Sequence, residues 1–218
     1  MNYDEICRVA NRLKKRFGCT SDPFSLCRDL GFITNPMQLG NAEDAIKGFI
    51  IENKRVKCIT YNDDLPYLAK LQIVWHEIGH GVLHPIGIYG YTDIQMYDAN
   101  TQKEKEANLF SAEFQLDDSD VLETLNADTT FSSAASILGV PMEVLDFKFR
   151  MMKWKGYKLV DPPIYTHGNY LRNFTLRIRA SGMVQDEEQK SLIMSSLGLS
   201  LSITIKKTKQ KKMMTNKG

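Results

Sequence analysis

Leu71-Gln72-Ile73-Val74-Trp75-His76-Glu77-Ile78-Gly79-His80 carries H-E-x-x-H within an apolar repeat of helical spacing, Leu68, Leu71, Val74, Trp75, Ile78 and Val82. Residues four apart stack on one helix face, so the rings of His76 and His80 can converge on one ion. Glu77 lies about a quarter turn away, beside the ion, where its carboxylate can take a proton from a water that the ion activates. The plain alternative is a core helix with two incidental histidines. Against it, three of the four histidines (His76, His80 and His84) share one stripe, whereas His167 is far away in the chain. The stretch therefore predicts a Zn2+ site of the kind that hydrolyses peptide bonds.

His84 repeats the spacing, but at about 1.5 Å per residue it stands about 12 Å along the axis from His76. Bonds near 2 Å cannot bridge that gap, so His84 is expected to close the helix or to support a ligand from behind. The metzincin pattern would need Gly at 83 and His at 86, where this chain has Leu83 and Ile86. The third ligand must come from another segment.

The chain has 218 residues, 43% hydrophobic and 25% charged, the balance of a soluble globular protein. No apolar run is long enough for a membrane span, and Met-Asn-Tyr-Asp-Glu does not begin a signal peptide, so a cytoplasmic location is expected. Cys7, Cys19, Cys27 and Cys58 lack C-x-x-C spacing and read as reduced thiols. The net charge of +2 includes six lysines after residue 205, which leaves residues 1–205 at −4. The tail 206–218 reads as a solvated basic end rather than a nucleic-acid grip, since no aromatic side chain interleaves with the lysines.

Residues 3–17 form an amphipathic helix ended by Gly18, and a short helix opens at Asp22-Pro23 and ends at Gly31. Gly48–Ile51 and Val56–Tyr61, split by polar residues, predict a β-hairpin whose edge could hold an extended substrate. Asp63, Asp64 and Pro66 precede the H-E-x-x-H helix. The segment after it contains Tyr89, Tyr91 and Tyr97, any of which could offer a hydroxyl to an oxyanion.

Thr101-x-x-Glu104 predicts a capping box opening a helix over 103–116. Glu104, Asn108, Ser111 and Gln115 then read as a polar outer face. Glu106 falls with Leu109, Phe110 and Glu113 on an inward stripe, where a lone carboxylate needs a partner. This selects Glu106 as third metal ligand, with Glu113 as alternative or supporting group.

Two segments, His76-Glu77-Ile78-Gly79-His80 and Glu106-Ala107-Asn108-Leu109-Phe110-Ser111, resemble the ImmA/IrrE-type metallopeptidases, whose pattern is H-E-x-G-H followed by E-A-N-x-F-A. Ser111 departs from the usual Ala. The resemblance covers about residues 1–160 and implies that the carboxylate before Ala-Asn, Glu106, completes the zinc site. It also implies a substrate class, helix-turn-helix transcriptional repressors of prophages, mobile elements or stress responses.

Residues 129–153 have the small residues and turn glycine of a helix-turn-helix. Glu143 and Asp146 would face phosphates, however, so scaffolding is favoured over direct DNA binding. Residues 165–205 read as a small α/β extension. His167 within it is a loop histidine that could reach the site as a transition-state donor. The expectation is an α+β zincin-like domain over 1–160, with a small sheet and flanking helices. His76, His80 and Glu106 hold Zn2+, Glu77 is the general base, and the substrate is a protein. The rival is a DNA- or protein-binding regulator whose metal, closed by four protein ligands, is only structural.

Overall fold

The computed structural model describes residues 2–42, 45–86, 102–127, 129–162 and 171. Their order is α1 (Tyr3–Phe17), α2 (Pro23–Leu30), β1 (Ile33–Met37), β2 (Gly48–Asn53), β3 (Val56–Asn62), α3 (Tyr67–Leu83), α4 (Gln102–Gln115), α5 (Asp118–Asn126), α6 (Phe131–Ile137) and α7 (Met142–Trp154). The architecture is the expected α+β one. Thr101, the tyrosines at 89, 91 and 97, His167, the 165–205 extension and the basic tail lie outside the described residues.

Local chemistry sets the boundaries. In α1 the Asn2 side chain accepts from the Glu5 N–H, with Asp4 and Glu5 in the first turn and Lys14, Lys15 and Arg16 in the last, each complementing the helix dipole. Asp22 caps α2 by accepting from the N–H groups of Phe24 and Ser25, Pro23 follows it, and Gly31 closes the helix at φ 71°.

The sheet order is β1-β3-β2, with β2 antiparallel and β1 parallel to β3. The hairpin turns through Lys54 (φ 49°) and Arg55 (φ 68°), between the paired residues Asn53 and Val56. Two positive φ values suit a tight two-residue hairpin, although neither residue is the usual glycine or asparagine. The sequence reading has no strand at β1, a short, largely exposed segment with a proline that only an edge tolerates.

Helix α3 lies on the sheet, with its residues from Gln72 to Gly81 all buried. Helix α4 sits between α3 on one side and α1 and α7 on the other, so it is buried around most of its circumference. The two helices of the helix-turn-helix-like segment are α6 and α7, joined through Gly139 at φ 68°. The second is a core helix, not an exposed reading helix: Val144, Leu145, Phe147, Met151 and Met152 are buried, and Lys148 is 1% exposed. Its ammonium pairs with Glu113 (2.8 Å) and Asp118 (2.6 Å), which accounts for a lysine at an inward position. No described helix is long and apolar enough to cross a membrane.

Candidate metal centre

Helix α3 presents Gln72, His76 and His80 at successive four-residue steps, and α4 presents Glu104, Asn108, Ser111 and Gln115. The two polar stripes meet. Gln72 and Gln115 exchange amide hydrogen bonds (3.2 and 3.3 Å), His76 Nδ1 meets Asn108 Oδ1 at 2.7 Å, and Glu104 reaches both histidines. Ser111 belongs to this seam, its hydroxyl accepting from the Gln115 amide at 2.7 Å.

Glycine lets the helices approach this closely. A Cβ on Gly79 would lie 2.7 Å from the Ala107 carbonyl oxygen and 2.9 Å from its Cα, so α4 backbone occupies the space a side chain would need. Gly81 serves the opposite face, where a Cβ would collide with Phe32 and Ile50.

At the centre His76 Nε2 and His80 Nε2 are 3.0 Å apart, while Glu104 Oε2 lies 3.0 Å from the first and Oε1 3.1 Å from the second. All three residues are buried. Ligands on a zinc ion with bonds near 2.05 Å stand about 3.3 Å apart in a tetrahedron, so this spacing fits one face of such a polyhedron. The donor set, two imidazoles and a carboxylate, is also that of catalytic zinc. The Asn108 oxygen accepts from the His76 Nδ1–H, so that once the ring is neutral its Nε2 lone pair faces the centre.

The electrostatics agree. Burial alone would lower both imidazoles, but at His76 the charge and hydrogen bond of Glu104, with the charge of Glu77, outweigh it and lift the pKa to about 9. At His80 burial prevails and the pKa falls to about 4. Burial would raise Glu104, yet the two histidines hold its carboxyl well below the usual carboxylate range. A carboxylate that draws a proton to His76 would also draw a metal cation. Glu77 is buried next to His76 and close enough for its charge to be felt there.

The acid that joins the histidines is Glu104, not Glu106. Two residues on, Glu106 is rotated by about 200° and bonds His84 Nε2 at 3.2 Å. The expectation gave α4 one inward face; a helix enclosed on two sides has two, and the polar one turns to the two histidines. Asn108 was missed for the same reason. The signal was available, since a polar stripe on α4 matches a polar stripe on α3. Glu113 leaves the site altogether, pairing with Lys148 (2.8 Å) and Lys155 (2.5 Å). His84 follows the last turn of α3, its N–H donating to the His80 carbonyl, and its Nδ1 lies 3.1 Å from His80 Nδ1.

Residues 27–150 match the Peptidase_M78 family, described as IrrE N-terminal-like domain. The chain is 30% identical over 146 residues to a Bacillus phage phi105 protein named "uncharacterized immunity region protein 2". That alignment covers 67% of this chain and 90% of the phage protein. No solved structure matches significantly.

Proposed function

Because the chain belongs to the IrrE N-terminal-like family, Peptidase_M78, we propose that it is a zinc-dependent endopeptidase whose substrate is a protein, in the first instance a transcriptional repressor. The observation that carries the reading is the buried convergence of His76, His80 and Glu104, three donor groups whose ligand atoms lie within 4.8 Å of one another. Among the described residues this is the one such group, and three protein ligands leave a fourth position for reaction where a structural zinc takes four. That count favours the peptidase over the regulator with a structural metal. The phage relative's name, which places it in an immunity region, supports a repressor as substrate.

In this reading His76 and His80 hold the ion through Nε2 and Glu104 through its carboxylate. When bound, Zn2+ supplies a Lewis acid that makes a water nucleophilic at neutral pH and polarises the scissile carbonyl. Glu77 takes the proton from the attacking water and delivers it to the departing amine. Asn108 keeps the His76 ring turned towards the centre, and the Gln72–Gln115 pair fastens the far end of the seam.

The test is to incubate the protein with zinc and a panel of purified helix-turn-helix transcriptional repressors, and to follow cleavage by mass. Glu77→Gln is expected to keep one zinc per chain and lose turnover, while His76→Ala loses both. A Glu77→Gln protein that cleaves at nearly the wild-type rate would overturn the assignment.

A further inference from the structure

His84 and Glu106 are drawn together behind the centre and have no part in the chemistry so far described. His84 Nδ1 is 3.1 Å from His80 Nδ1, and His84 Nε2 is 3.2 Å from Glu106 Oε2. Glu106 is itself held, its other oxygen accepting from the Gln102 amide (2.7 Å) and the Asn2 backbone N–H (3.3 Å). The three side chains form a line from the surface of α4 to a residue of the metal centre. Resting on the metal-centre reading above, we propose that His84 and Glu106 are positioning residues that fix His80 in the tautomer whose Nε2 faces the ion.

The argument is one of proton placement. For His80 Nε2 to offer a lone pair to a cation, the neutral ring must carry its hydrogen on Nδ1. That hydrogen points at His84 Nδ1, which must then accept and carry its own hydrogen on Nε2. The Nε2–H of His84 in turn points at Glu106, where a carboxylate accepts it. The opposite arrangement sets the His84 Nε2 lone pair against a carboxylate oxygen at 3.2 Å. It also moves the His80 hydrogen to Nε2, into the space between His76 and Glu104. Glu106 therefore selects the arrangement that leaves His80 ready for metal. The two histidines of the centre are oriented by different means: a buried amide serves His76, and an imidazole backed by an acid serves His80.

The experiment measures zinc affinity of the full chain by competition with a chromophoric chelator, together with melting of the zinc-stripped forms, for wild type, Glu106→Ala, Glu106→Gln and His84→Ala. Loss of such an outer partner weakens metal binding by about 10- to 100-fold. That loss is expected for both alanine variants, with stripped Glu106→Ala melting close to the stripped wild type. Glu106→Gln is expected to recover only part of the affinity, because its amide can accept from the His84 Nε2–H or donate to the Nε2 lone pair and so no longer selects between the two tautomers. Glu106 keeps 13% of its side chain exposed and is held by polar partners, not by apolar packing, so this pair of variants speaks even if His84→Ala folds poorly. Alanine variants that hold zinc within about twofold of wild type would overturn the inference while leaving the peptidase reading intact. So would an affinity loss matched by an equal loss of stripped-form stability. A wild-type chain that holds no zinc would instead overturn the metal centre, and this inference with it.

Discussion

Gly79 of α3 and Ala107 of α4 meet backbone to side, with a Cβ at position 79 placed 2.7 Å from the Ala107 carbonyl oxygen. That neighbour is main chain, which cannot swing aside. Gly79→Ala must therefore push the two helices apart, at a cost of about 1–3 kcal/mol for an overpacked contact. It should also draw Glu104 away from the histidines. The expected result is a folded protein with lowered melting temperature and weakened zinc binding; a variant with wild-type zinc affinity would mean that the centre does not depend on this contact.

Two of the three acids of α4, Glu104 and Glu106, separate by their effect on metal. Glu104→Ala removes a group that touches both histidines and should lower zinc affinity by more than about 100-fold, whereas Glu106→Ala removes only an outer partner. Zinc content after dialysis decides the order. Retention by Glu104→Ala with loss by Glu106→Ala would reverse the assignment.

For the zinc-stripped chain the shifted histidines set the pH dependence. His76, raised from 6.5 to about 9, contributes stability that is fully present below pH 6.5 and is lost as pH rises through 9. His80, lowered to about 4, is kept neutral by burial, so stability falls as pH drops below 6.5 towards 4. Glu104, held low, acts in the same direction on the acid side. Melting temperature of the stripped protein should thus decline on both sides of a maximum near neutrality. Zinc affinity should rise with pH up to about 9, because the metal displaces the His76 proton. A melting temperature still climbing through pH 9 would contradict the His76–Glu104 pairing.

Lys148 should be a stability residue and not a nucleic-acid contact. Its ammonium is buried between Glu113 and Asp118, and Lys148→Met leaves those carboxylates with Lys155 as their one cation among the described residues. Breaking a buried pair costs about 3–5 kcal/mol, and the remaining lysine puts this case near 3. Chemical denaturation measures it. A change under about 0.5 kcal/mol, typical of an exposed site, would show that the network does not hold α7.

How much of this was legible follows from which residues advertise themselves locally. Asp22-Pro23, Gly31 and the hairpin around Lys54-Arg55 declare their elements within a few residues, and H-E-x-x-H declares two ligand candidates on one face. Strand β1 does not, because an exposed edge with Pro36 has neither alternation nor apolar content. The choice between Glu104 and Glu106 was not local either. Periodicity tells which residues share a face, but only the position of α4 between α3 and the α1/α7 side tells that both faces are covered. Lys148 is the same lesson in reverse, a charge whose partners come from other helices.

The paired polar stripes of α3 and α4 also act as an alignment key. Two helices joined by aliphatic contact alone can slide by a turn with little penalty. Here such a slip would set Asn108 opposite His80 and carry Glu104 beyond the end of α3, stranding buried polar groups at about 1–3 kcal/mol each. The groups that converge at the candidate metal centre are thus also those that tell the chain where its two central helices must stop.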